Sequence, residues 1–158
     1  MEIFNDFYTN VARALSEIDE KWRGYKGLII CGTHTPHDTE FLINKIKEAR
    51  ENKIPTLLIC FGHQLGAIEW ARNIKGIKDA TSEEFGQGTF VVKKRLKLKV
   101  GLHEGESWWS NYRIVINWDI PQHFFSVPYH PEYQNSKEKP HPILKRFLQY
   151  AKEYTMAM

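Results

Sequence analysis

Cys60, His130 and Glu132 are the residues whose types and surroundings best fit covalent chemistry. Cys60 closes the run Thr56-Leu57-Leu58-Ile59-Cys60 and is followed at once by Phe61-Gly62-His63-Gln64. A short apolar run between Pro55 and Gly62 reads as a buried strand. Leu65, Ile68, Ala71 and Arg72 then recur at helical spacing, so a helix follows a tight turn. A side chain at that turn stands at the end of a central strand, where the positive potential of a helix N-terminus favours an anionic nucleophile. The same strand–turn–helix device carries a serine in hydrolases. The alternative for a lone cysteine is a small buried hydrophobe at a strand end.

A base and an orienting acid are found late, in Tyr129-His130-Pro131-Glu132. In an extended segment, residues two apart leave on the same face. Pro131 favours extended backbone at residue 130. His130 can then accept the thiol proton and return it to a leaving group, while Glu132 orients the ring and stabilises its charged form. A His-Pro-Glu tripeptide is also a common turn, so the spacing permits the relay without requiring it.

These residues need a scaffold, and the pattern predicts one. Residues 4–20 read as a helix, with Phe4, Phe7, Val11, Leu15 and Ile18 in one stripe. Leu28 to Cys31 is a short buried strand. Asp38 or Thr39 is placed to cap a helix bearing Phe41, Leu42, Ile46 and Ala49, which stops before Pro55. Strands alternating with amphipathic helices predict a parallel sheet covered on both faces. Gly76, Asp79, Ser82 and Gly86 mark a loop. Residues 89–92, 96–100, 112–116 and 124–127 read as short strands with mixed or antiparallel pairing. Pro142 opens a closing helix with Ile143, Phe147, Leu148, Ala151 and Tyr154 on its apolar face.

The bulk properties fit one α/β domain over residues 1–158, with 42% apolar and 26% charged residues. No apolar run reaches the roughly 18 residues of a membrane span, and the N-terminus has no signal-like pattern. A cytoplasmic chain with two free thiols, Cys31 and Cys60, is expected. Net charge is +3. The basic run Lys93 to Lys99 alternates with Leu96 and Leu98 and reads as a half-buried strand, not a nucleic-acid surface. His34, His37, His63, His103, His123 and His141 show no zinc-ligand spacing, so neither metal nor cofactor is expected. Trp108 and Trp109 fit a pocket wall and a docking pair equally well.

The sequence Ile59-Cys60-Phe61-Gly62-His63-Gln64, with Tyr129-His130-Pro131-Glu132-Tyr133 downstream, resembles the class I (triad) glutamine amidotransferases. It looks most like the glutaminase domain of CTP synthases. Ala49 to Pro55, Ile68 to Asn73, Ile77 to Phe85 and Lys139 to Leu144 are similar as well. The resemblance covers roughly residues 26–150 in the right order. It implies a flavodoxin-like three-layer sandwich with additional antiparallel strands. Cys60, His130 and Glu132 match the triad. Gly32 and Phe61 match the residues whose N–H groups form an oxyanion hole. Gln64 matches a residue that holds glutamine, and Arg113 falls near an arginine that meets its carboxylate. The implied reaction is hydrolysis of the glutamine side-chain amide through a glutamyl thioester.

Several positions depart from the family pattern. Leu58 replaces a glycine two residues before the nucleophile and is expected to crowd the turn. Thr33 stands in a loop the family builds from glycine. Ser107 to Asn111 replace a basic, histidine-rich run. The strand that opens the sheet is expected to be missing, leaving an edge for a partner chain or a second copy. No synthetase domain is expected within 158 residues, so ammonia would pass to a separate protein. Two further readings stay open: a non-catalytic relative that binds a partner or ligand, and a cysteine hydrolase of another amide or γ-glutamyl compound.

Overall fold

The computed structural model describes residues 1–33, 35–103 and 106–158, with side chains described outside 95–111. His34 and the side chains of His103, Trp108 and Trp109, as well as those of the basic run from Arg95 onward, lie outside the described residues.

Four strands form a parallel sheet in the order β1 (Glu2–Phe4), β2 (Leu28–Ile30), β3 (Thr56–Ile59) and β7 (Phe124–Val127). β3 is central, pairing Leu57 with Ile29 on one side and with Phe125 on the other. Alternation along these strands serves two cores. Ile29, Leu57, Ile59 and Val127 face α1 (Tyr8–Ile18) and α4 (Pro142–Met156). Leu28, Ile30, Leu58 and Phe124 face α2 (Thr39–Glu51) and α3 (Phe61–Asn73). The result is the flavodoxin-like three-layer arrangement. A second sheet, β4 (Ala80–Ser82), β5 (Thr89–His103) and β6 (Glu106–Ile114), closes the α3 side, with β5 and β6 antiparallel.

The opening segment differs from the helix expected over 4–20. Ile3 and Phe4 pair with Ile29 and Ile30 as a strand, and the helix starts at Tyr8. Phe4 packs on the α2 side and Phe7 on the α1 side, so the apparent stripe joined residues from opposite faces of the sheet. A strand therefore does open the sheet. In the second half, Ala80–Ser82 is a strand where a loop was expected. The two candidates at 89–92 and 96–100 are one long strand, and β6 begins at Glu106 and ends before Ile116.

Helix starts also differ in detail. Asp38 occupies the cap position of α2 at φ 53° and makes no capping bond, while Phe41 is 53% exposed. Pro142 does open α4, and the Ile143 N–H donates to His141 Nδ1 at 3.1 Å.

The crossovers have an unusual hand. α1 links β1 to β2 across one face, whereas α2 links β2 to β3 across the other, although both step the same way along the sheet. The two units are thus of opposite hand. About 98% of such crossovers are right-handed, and α3 shares the face and direction of α2, so β1–α1–β2 is the left-handed one. The doubly wound order 2-1-3-4-5 with its outer strand removed gives this arrangement. Among the described residues, no helix is long and apolar enough to cross a membrane.

Candidate active site

The carboxyl ends of all four parallel strands converge, which is where open α/β sheets place ligands. Cys60 follows β3, Gly32 lies two residues after β2, His130 lies three after β7, and Asn5-Asp6-Phe7 follow β1. Adjacent β3 and β7 are tied at this end by the Cys60 N–H donating to the Val127 carbonyl at 2.9 Å. That register brings residues 60 and 130 together across a large separation in sequence.

Cys60 adopts φ 54° and ψ −101° at the head of α3. This sharp, left-handed turn lifts the side chain out of the strand plane. Cys60 lies close enough to His130 to raise the ring's pKa. The ring's Nδ1 lies 3.3 Å from Glu132 Oε2 and 3.2 Å from Oε1. Only Oε2 has hydrogen-bond geometry, and Oε1 has no hydrogen-bond partner among the described residues. His130 itself is near-extended, at φ −109° and ψ 90°, but Pro131–Gln134 form a 3-10 turn. The turn, in place of the expected extended run, carries the buried Glu132 back to the ring.

Burial pulls the His130 pKa down, but its interactions with Cys60 and Glu132 outweigh that and raise it to about 10. The ring therefore holds a proton at neutral pH. It is packed in place by Phe7, whose ring centroid is 5.5 Å away, and by Tyr133 at 5.6 Å. Gly32 lies directly against it: a Cβ there would come within 2.7 Å of His130 Cε1. Phe61 begins α3, so its N–H belongs to the first turn that lacks intrahelical acceptors. Cys31 is buried and stays a free thiol. Burial, with the Glu132 charge adding to it, pushes its pKa well up.

The family model of class-I glutamine amidotransferases matches residues 5–120. The chain belongs to that family. Among curated relatives, it is 28% identical to a CTP synthase of Ruminiclostridium cellulolyticum over an alignment covering 87% of this chain and 36% of that protein. It is 49% identical to a CTP synthase of Methanoregula boonei over 44% of this chain and 13% of that protein. The chain thus spans about a third of the length of the first of these relatives. Its fold matches the glutaminase domain of Trypanosoma brucei CTPS, solved with bound acivicin, at TM-score 0.73 and 18% identity, covering 94% of this chain and 89% of that one.

The departures from the amidotransferase pattern are accommodated locally. Leu58 is fully buried and does not flatten the turn at Cys60. Its room comes from Gly66, where a Cβ would meet Leu58 Cδ1 and the Trp118 ring, each at 2.7 Å. Gly62 lets α3 sit on β2, since a Cβ there would fall 2.3 Å from the Ile30 carbonyl oxygen. Thr33 is not among the residues with positive φ. It donates to Asp6 Oδ2 at 2.5 Å, and the Thr35 N–H donates to Thr33 Oγ1 at 3.1 Å.

Of the remaining predicted residues, Gln64 is buried, and its Oε1 accepts from Ser82 Oγ at 3.1 Å. Gln64 lies near Glu84, whose pKa burial raises while Gln64 opposes that rise. Arg113 is exposed. Its neighbour Tyr112 packs on the α3-side core and lies close enough to feel the charges of Glu84, Glu83 and Cys60. Alternation along β6 then turns Arg113 away from Cys60. Asn5, Asp6 and Tyr112 carry no sequence motif, and Glu84 stood in the family-like stretch Ile77 to Phe85 with no role assigned to it. His63 packs against Trp118 with Nδ1 2.6 Å from Ser126 Oγ. One edge of it remains partly exposed, yet desolvation around the ring brings its pKa down to about 3, so it stays neutral. Among the described residues, no group of three or more His, Cys, Asp or Glu is placed to hold a metal ion.

Proposed function

We propose that this chain hydrolyses the side-chain amide of glutamine through Cys60, His130 and Glu132. The observation that carries the reading is one ring whose Nδ1 meets a buried carboxylate and which lies close enough to Cys60 to be charged by it. Cys60, as the thiolate, attacks the amide carbon. The oxyanion forms beside the N–H groups of Gly32 and Phe61. His130 gives its proton to the departing nitrogen, and ammonia leaves a glutamyl thioester. Neutral His130 then takes a proton from water, hydroxide attacks the thioester, and glutamate departs as the thiolate is restored. Gln64 and Glu84 form the polar side of the substrate pocket. The ammonia acceptor we propose is a synthetase outside these 158 residues.

The test is ammonia and glutamate release from glutamine by the purified protein beside Cys60→Ala. Turnover is expected from the first alone, with covalent labelling of Cys60 by acivicin. Silence with glutamine and no labelling would overturn the reading. The outward placement of Arg113 favours one second reading, a cysteine hydrolase of another amide or γ-glutamyl compound that needs no arginine at that point. A substrate panel separates the two.

A further inference from the structure

We propose that Asn5 is a positioning residue that aims the Gly32 N–H into the site. Asn5 Nδ2 donates to the Cys31 carbonyl oxygen at 3.2 Å. That carbonyl and the Gly32 N–H belong to one peptide unit. In a trans peptide the C=O and N–H point in opposite directions, and no cis bond occurs among the described residues. A donor that pins the carbonyl on one side therefore fixes the N–H direction on the other. The same Gly32 lies against His130, so the fixed N–H belongs to the peptide unit bordering the reacting atoms.

The next residues complete the grip. Asp6 Oδ2 accepts from both Thr33 Oγ1, at 2.5 Å, and Thr35 Oγ1, at 3.3 Å. None of these bonds uses the Gly32 N–H. Asn5 sits at φ 86°, a region asparagine enters more readily than most side chains, so its side chain is turned toward β2 by the backbone. A loop with threonine at position 33 lacks the conformational freedom of a glycine-rich one, and side chains from the end of β1 set its shape instead.

The inference rests on the reading of Gly32 as an oxyanion donor, and the experiment separates it from the choice of substrate. Two reactions of Cys60 are compared. Alkylation by iodoacetamide needs the thiolate and no oxyanion donor. Acylation by p-nitrophenyl acetate forms a tetrahedral oxyanion and needs no recognition of glutamine. Asn5→Asp keeps shape and backbone preference but cannot donate. Asn5→Gly removes the side chain without straining φ.

Both variants are expected to lower the acylation rate at least about 10-fold, since loss of one such donor is worth about 10²–10³, with alkylation within about 2-fold. If glutamine is a substrate, kcat falls by a similar factor and KM stays within about 2-fold. Equal acylation rates in wild type and variants, zero included, overturn the proposal. So does a parallel fall in both reactions, which marks a collapsed site. A wild type that the ester acylates but glutamine does not reach overturns the glutaminase reading alone.

Discussion

Cys60 takes φ 54° and ψ −101°, and a side chain held in such a region costs about 1–3 kcal/mol. Cys60→Gly is therefore expected to be more stable than Cys60→Ala by about 1 kcal/mol in urea unfolding, with both inert. His130 gives a second prediction. Its folded pKa, near 10, lies above the usual 6.5. The stabilisation from its proton is thus complete below about pH 6.5 and is lost as pH rises through about 10. The urea midpoint should fall over that interval, and fall less in His130→Asn. An NMR titration should place His130 high in wild type and lower in both Glu132→Gln and Cys60→Ala. Gly32→Ala would push a methyl to within 2.7 Å of the ring, and a displacement of about 1 Å can cost about 10²-fold in turnover. Activity should fall by that order while the melting temperature changes little. Cys60, His130 and Glu132 were legible because their residue types are chemically distinctive and strand ends locate them. Asn5 and Asp6 were not, since their partners are a carbonyl and two hydroxyls that only the folded chain brings near.

Elements reveal how a local departure is absorbed. Leu58 fills the space over Gly66 beside Trp118, and truncating a buried leucine typically costs 2–5 kcal/mol. Leu58→Ala and Gly66→Ala should each destabilise, the second by overpacking. The double variant should be more stable than the sum of the two, as for residues in contact; denaturant midpoints give the coupling directly. The helices α2, α3 and α4 and the strands β2, β3 and β7 could be read from periodicity because each buries a continuous face. β1 could not. Its three residues run straight into an amphipathic helix, and Phe4 falls on that helix's spacing by coincidence while packing on the other side of the sheet. β4 is equally short and was hidden among turn residues.

For the whole molecule, protection against amide exchange should follow position in the sheet. β2 and β3, each paired on both sides, are expected to exchange slowest, and the three-residue edge strand β1 fastest among the parallel strands. The family's sheet and two-faced layering were legible from strand–helix alternation, but the hand of the first crossover was not, because a sequence pattern carries no chirality between elements. That hand bears on how the protein can be extended. The link from α1 to β2 passes through exposed Arg23 and Gly24, anchored by buried Trp22, whose Nε1–H donates to Ser16 Oγ, and by Tyr25, whose hydroxyl donates to Asp19. A strand and helix spliced between residues 23 and 24, long enough to dock outside β1, would replace one left-handed passage with two right-handed ones. Engineers seeking a permissive insertion point far from Cys60 have it there.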